Sequence, residues 1–385
     1  MNFLTNLFYT ILMLSVLVFF TFFASIIPLL NGDIIYVPFI VVTSLSLFLW
    51  FVFHTFGLLQ KRKAKKGLVL TVAFLFVCAG GYLANHLYKQ NMETVSAEVD
   101  LFQYLPNSEG AKVATLEDVA SLQLPKENLL RLDGATALYP LYSAFVQATY
   151  PKKEYHFADP TVRASKTPEA YNNLIEGTAD IIFVAEPSEA KLKYAEKMGV
   201  TLNMTPIGRE AFVFFVHAKN SVEGLSSEQI RDIYSGKVTN WKEVGGKNDS
   251  LRPFQRPTES GSQTAMHSFM GRVPLMEAPT ENVVSGMGGV ISEVSEYKNY
   301  RNAIGYTFRF FSTEMVKNDN IRLLEVDGVY PDKESIRSGT YPITSEFYAI
   351  TAGTTNPHAQ AFIDWILSDE GQDLVEKTGY VPINN

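Results

Sequence analysis

The chain has 385 residues, 46% of them hydrophobic and 19% charged, enough for two ordinary domains and too apolar for a disordered scaffold. Its 18 prolines and 25 glycines follow no period-three pattern and its single cysteine has no partner, which excludes collagen-like and disulfide-stapled proteins. Residues 1–90 hold six of the 33 Lys/Arg and one of the 40 Asp/Glu, net +5, leaving 27 basic and 39 acidic side chains, net −12, for residues 91–385. So acidic a remainder repels polyanions and, with no basic patch interleaved with aromatics, argues against a nucleic-acid partner.

About 20 apolar residues at 1.5 Å each cross a hydrocarbon core of roughly 30 Å. Residues 7–30, 34–59 and 67–84 lack Asp, Glu, Lys and Arg over 24, 26 and 18 positions and predict three transmembrane helices within 1–90. The first stretch has no basic start and is too long for a cleaved signal peptide. Between the first two spans stands Asn31-Gly32-Asp33, whereas Lys61, Arg62, Lys63, Lys65 and Lys66 separate the second from the third. Positive loops stay in the cytoplasm, so the N-terminus is expected inside and everything after the third span outside. The run before Cys78 has the layout of a lipoprotein signal, but Val77 stands where a small residue is needed, and Cys78 reads as a membrane-buried cysteine.

Residues 91–125, broken by Pro106, Asn107 and Gly110, read as an extracellular stalk leading to a domain at 126–385. Residues 129–132 then read as strand, 139–148 and 171–176 as helices, and 180–184 as strand. This alternation predicts an α/β architecture with a largely parallel sheet. A second α/β unit opens on a strand at 211–216. Its helix is signposted by Ser226 as N-cap, Gln229 closing a capping box, and Leu225 with Ile230 as hydrophobic staple, and should end near Ser235 and Gly236. A strand at 347–350 and an amphipathic helix at 361–375, interrupted by Gly371, complete the pattern.

Three turns are candidates for chemistry. In Arg256-Pro257-Thr258-Glu259-Ser260-Gly261-Ser262, ahead of a helix at 265–270, a Ser-Gly-Ser turn places unpaired N–H groups and hydroxyls at the positive end of a helix dipole, which suits an anion. Arg256 would add a planar charged fork. The plainer reading is capping by Ser260 or Ser262 beside a surface arginine. In Asp133-Gly134-Ala135-Thr136, small residues let a ligand approach the backbone and Thr136 offers a hydroxyl at a helix start; otherwise it is a tight turn. Ser285-Gly286-Met287-Gly288-Gly289 lacks full dinucleotide-binding spacing.

The segments LDGATALYPLYSAF, PIGREAFVFFV, LSSEQIRDIYSGKVTNWKEVGG, PFQRPTESGSQTAMHSFMG, NAIGYTF and EGQDLVEKTGYVPI, in that order, resemble the phosphate-type solute-binding proteins of ABC importers over roughly residues 98–385. The resemblance implies a two-lobed type II periplasmic-binding-protein fold, here preceded by three transmembrane helices, with ligand held between the lobes. Lobe one would span about 126–210 and 342–385, and lobe two about 211–341. The anion would be held by Thr136 with the backbone of Ala137, by Arg256, and by Ser260, Gly261 and Ser262. A further hydroxyl would come from the segment before the second strand, where Ser165 and Thr167 both fit. Phosphate binders of this family place an Asp after that strand to accept the proton of hydrogen phosphate. Here the strand runs on as Val184-Ala185-Glu186-Pro187, so Glu186 substitutes from one position away or the acceptor is absent. The three-span anchor is a second departure, since relatives usually carry a cleaved or lipidated N-terminus.

The expected protein is a multi-pass cell-membrane protein whose extracellular domain captures an inorganic oxyanion, phosphate first, for ABC-type uptake. Permease subunits and the bilayer are its implied partners, and no cofactor, metal or covalent chemistry is implied. A cell-wall enzyme is the weaker alternative. Ser188-Glu189-Ala190-Lys191 and Lys377-Thr378-Gly379 match motifs of penicillin-recognising enzymes, but Tyr171-Asn172-Asn173, the middle motif, precedes the nucleophile. His54, His86, His156, His217, His267 and His358 are scattered without ligand spacing, and His267 reads as a packed or exposed helix residue. The third alternative is an anion-sensing receptor or adaptor, because three spans exceed what a tether requires.

Overall fold

The computed structural model describes residues 3–30, 37–90, 99–277, 301–316 and 319–383, and the chain divides into two units, Met1–Met92 and Glu93–Asn385. The first contains α1 (Phe3–Leu30), α2 (Val37–Thr55) and α3 (Arg62–Gln90), each long and apolar enough to cross a membrane. Asn6 Nδ2 donates to the Thr55 carbonyl at 3.2 Å and the Phe3 and Phe56 rings meet at 6.1 Å, so α1 and α2 form an antiparallel hairpin. The third helix starts at Arg62, not near residue 67. Arg62, Lys63, Lys65 and Lys66 therefore lie in its first turns and not in a loop. Cys78 is exposed on α3, and the turn at residues 31–33 lies outside the described residues.

In the second unit the chain runs through β1 (Leu132–Gly134), α4 (Tyr139–Thr149), α5 (Thr167–Ile175), β2 (Ile181–Val184), α6 (Glu189–Lys197), β3 (Asn203–His217), β4 (Gly224–Leu225) and α7 (Ser227–Tyr234). It continues through β5 (Arg252–Pro253), α8 (Gly261–Met270), β6 (Ala303–Phe308), β7 (Ile321–Leu323), β8 (Glu325–Val326), α9 (Lys333–Arg337), β9 (Thr344–Thr351), α10 (Ala359–Leu367) and α11 (Asp369–Thr378). One sheet takes the order β1-β2-β9-β3-β6-β5, with β7 also on β3.

That sheet is mixed, which corrects the expectation of a largely parallel one. Pairing is parallel for β1 with β2 and for β5 with β6, but β9 is antiparallel to β2 and β3 is antiparallel to β9, β6 and β7. The chain passes from one core to the other along β3 and returns along β9, and two crossings in opposite directions pair antiparallel. The first half of β3 is the half the sequence conceals. Pro206 and a bulge at Ile207 break its alternation, yet Asn203 to Pro206 and Gly208 to Ala211 pair with β9 on either side of it.

Two cores follow. In β2, Ile181 and Phe183 pack with Phe145, Phe362 and Leu374 of α4, α10 and α11, whereas Ile182 and Val184 face Ala170, Tyr171 and Leu174 of α5. Helices thus cover both faces of this strand, which is why it reads as a continuous apolar run. The other core joins Val213 and Phe214 of β3 to Ile230, Ile233 and Tyr234 of α7, Met266 of α8 and Ile304 of β6.

Several local expectations move. From Val99 on, the segment expected as a stalk packs on the first core, burying Leu101, Tyr104, Leu105, Ala120 and Leu124; residues 91–98 lie outside the described residues. β1 is displaced to 132–134, and α5 begins at Thr167 with Pro168 in its first turn, where a missing N–H costs nothing. The final helix breaks at Ser368, whose extended backbone ends α10 and starts α11, and Gly371 lies inside the second piece. The capping box is as expected: Ser226 Oγ accepts from Gln229 N at 3.1 Å and Gln229 Oε1 from Ser226 N at 2.8 Å.

Candidate functional site

A cavity of about 230 Å³ lies between the two cores. Thr136, Ala137 and Thr167 reach it from one side, and Arg256, Ser260, Gly261 and Ser262 from the other. Seven of the nine residues proposed from sequence are thereby brought together.

The β1 turn is held by a buried carboxylate. Asp133 accepts from the N–H of Gly134 at 2.7 Å, from Ser165 N at 2.9 Å, from Ser165 Oγ at 2.6 Å and from Asn173 Nδ2 at 2.7 Å, with Arg163 Nε 3.7 Å away. Gly134 is required by space: a Cβ there would stand 2.6 Å from the Phe183 carbonyl oxygen and 2.9 Å from the Tyr142 ring. This close strand pairing lets Ala135 N donate to Phe183 O and sets Thr136 at the cavity.

On the opposite side, Ser260 caps α8 by accepting from Gln263 N at 3.1 Å, so the ordinary capping role is real and coexists with cavity lining. Gln263, one turn on, accepts from Arg256 N at 3.0 Å, and the Tyr306 hydroxyl, which accepts from Arg256 N at 3.1 Å, donates to the same Gln263 oxygen. Gln263 and Tyr306 thus fix the backbone from which Arg256 projects. The arginine is half-buried, its Nε is shut from solvent without a hydrogen-bond partner among the described residues, and burial holds its pKa below the usual value. His267 is exposed one turn beyond Gln263.

Two sequence assignments do not reach the cavity. Ser165 gives both its N–H and its hydroxyl to Asp133, and a hydroxyl has one hydrogen to donate, so of the two candidates Thr167 is the one that lines the cleft. Glu186 is exposed and outside the lining, beside Tyr348, whose hydroxyl is pushed up to about 12 by burial and then by Glu186 and Glu346. The turn at residues 285–289 lies outside the described residues. Ser188 is the N-cap of α6, accepting from Lys191 N, and Lys377 pairs with Asp373 at 2.8 Å, so both enzyme-like motifs have structural roles.

Sequence reasoning missed Glu210, the one acid in an otherwise apolar half of β3. Its carboxylate accepts from Ala211 N at 2.9 Å and Phe310 N at 3.1 Å beside Arg309 Nε at 3.7 Å, and it lines the cavity where the chain passes between the cores. Burial pushes it up to about 7 against the pull of Arg309. A folded pKa above the unfolded 4.5 means that the folded state holds the extra proton, so this group's contribution to stability is lost as pH rises from about 4.5 through about 7. Relative to wild type, Glu210→Gln should therefore gain on the order of 3 kcal/mol between pH 4.5 and 8. Thermal midpoints across that range read it; parallel curves for the two proteins would remove Glu210 as the titrating group.

A profile of the PBP superfamily domain matches residues 106–370. The chain is 26% identical over 262 residues to the phosphate-binding protein PstS of Bacillus subtilis, covering 66% of this chain and 81% of that one. It is 25% identical over 256 residues to the Pseudomonas aeruginosa PstS, covering 60% and 76%. Among solved structures, a candidate phosphate ABC transporter substrate-binding protein from Clostridium perfringens, with bound phosphate, superposes at a TM-score of 0.50 and 24% identity, covering 66% of this chain and 99% of that one.

Proposed function

The chain belongs to the PBP superfamily, and we propose that it is a membrane-anchored extracellular binding protein that captures a phosphate-type oxyanion between its lobes for ABC-type uptake. The observation that carries this reading is Arg256: a half-buried guanidinium whose Nε is shut from solvent without a partner among the described residues, opening on a cavity that is also lined by Lys166, several hydroxyls and backbone groups. A buried charge without a partner is costly, and an anion removes that cost. Neutral donors supply the remaining hydrogen bonds, so a net-acidic domain still binds an anion. The names of the curated relatives, both phosphate-binding proteins, support phosphate as the anion. Binding would shift an open–closed equilibrium through contacts made only when both lobes reach the ligand.

The three apolar helices support a multi-pass anchor, and the basic residues at the start of α3 favour a topology with that end and the N-terminus in the cytoplasm and the binding domain outside. The same helices favour one second reading, an anion-sensing receptor that feeds no permease, because one span suffices for a tether. Calorimetric titration of the ligand-stripped full-length protein in lipid nanodiscs tests the shared premise. Saturable phosphate binding on the order of micromolar is expected. No heat from phosphate or sulfate would defeat both readings, and ATP-driven phosphate uptake into vesicles separates importer from receptor.

A further inference from the structure

The cavity is larger and more apolar than a bare oxyanion needs. The two sides already meet along one edge of the cleft, while its mouth stays open to solvent. Lys191 Nζ on α6 lies 3.3 Å from Glu259 Oε2 ahead of α8 and donates to Asn172 Oδ1 at 2.8 Å. The Thr167 hydroxyl stands 3.3 Å from where a Cβ on Gly261 would be. A tetrahedral oxyanion has five non-hydrogen atoms and, even at a water's share of about 30 Å³ for each, fills at most about 150 Å³. That leaves part of the 230 Å³ empty.

Most of the lining surface is apolar, and the one unpartnered buried hydroxyl in it among the described residues is that of Ser345. Beyond the hydroxyls, Lys166 and Arg256, the lining includes Leu138, Phe308 and Phe311, and the two phenylalanines are only half-buried. The carboxylates in the lining are engaged: Glu210 by two backbone N–H groups, Glu259 by Lys191, and Glu346 by the Tyr348 hydroxyl at 3.3 Å. Apolar surface facing a cavity beside an anion site is covered by an apolar group attached to that anion.

We propose that the site takes a monosubstituted phosphate, an ester or phosphonate whose apolar substituent lies against Phe308 and Phe311. This rests on the reading of the site as an oxyanion binder. Three probes, inorganic phosphate, phenyl phosphate and glycerol 3-phosphate, are titrated separately into the full-length protein in nanodiscs. Phenyl phosphate is expected to bind at least about tenfold tighter than inorganic phosphate, and glycerol 3-phosphate, with a hydroxylated substituent, no tighter than inorganic phosphate. In Phe311→Ala the ratio of phenyl phosphate to phosphate affinity should fall by about tenfold, a readout that general loosening of the fold would not move. Phosphate binding with phenyl phosphate no tighter, glycerol 3-phosphate tightest of the three, or an unchanged ratio in Phe311→Ala overturns the inference alone. Silence from all three probes overturns it together with the oxyanion reading.

Discussion

Replacing Arg256 with methionine is expected to raise the dissociation constant for phosphate at least about 100-fold, close to 3 kcal/mol, without lowering the melting temperature of the ligand-free protein. The two halves of this result have one cause. In the ligand-free protein the half-buried guanidinium has its Nε shut from solvent without a partner among the described residues, and this weighs against the folded state. Methionine keeps much of the apolar stem and removes the charge. In the liganded protein the same group makes charge-assisted hydrogen bonds, roughly twice as strong as neutral ones. Wild type at saturating phosphate should melt higher than when empty, by the linkage of binding to folding, and the variant should show no such rise. Calorimetry and thermal unfolding read the two halves separately. An affinity within threefold of wild type would place the anion elsewhere.

The residues behind that prediction differ in how legible they were. A capping box, a Ser-Gly-Ser helix start and the strand at 211–216 write their structure into neighbouring residues: the capping box stands as expected, the strand is the buried end of β3, and α8 opens on the turn itself, at Gly261, four residues ahead of the expected 265. The supports of Arg256 were not legible. Gln263 is four residues from the next turn's His267 and reads as one more helix residue, and Tyr306 lies 50 positions from Arg256; only the fold brings their hydrogen bonds to one backbone N–H. Residues 99–124 bury Leu101, Tyr104 and Leu124 without helical or strand periodicity, so nothing marked them as core. Glu210 did leave a signal: an acid at the head of AFVFFV, in a stretch buried from Glu210 to Val216, must be paired or neutral. The register of the segment before β2 was ambiguous for a different reason. Ser165 and Thr167 both carry hydroxyls, and which one faces the cleft depends on Asp133, more than thirty residues earlier.

Asp133 is accordingly the second position where a large effect is expected. Asp133→Asn should destabilise the external domain by about 3–5 kcal/mol, the cost of breaking a buried charge network from one side. The amide has one acceptor oxygen where the carboxylate offers two, so the donors Ser165 N, Ser165 Oγ and Asn173 Nδ2 compete for it, and Arg163 at 3.7 Å loses its counter-charge. Because Asp133 ties the β1 turn to the loop before α5, the change should also loosen Thr136 and Thr167 and weaken phosphate binding in whatever fraction remains folded. Ser165→Ala isolates the structural part. Its hydroxyl hydrogen already belongs to Asp133, so the expected loss is about 1–2 kcal/mol of stability with phosphate affinity within about threefold of wild type. Thr167→Val, which removes a hydroxyl at the cavity itself, should instead cost affinity and spare stability. The reverse pattern, with Ser165→Ala losing the anion and Thr167→Val keeping it, would mean that the serine turns from Asp133 to the ligand on binding.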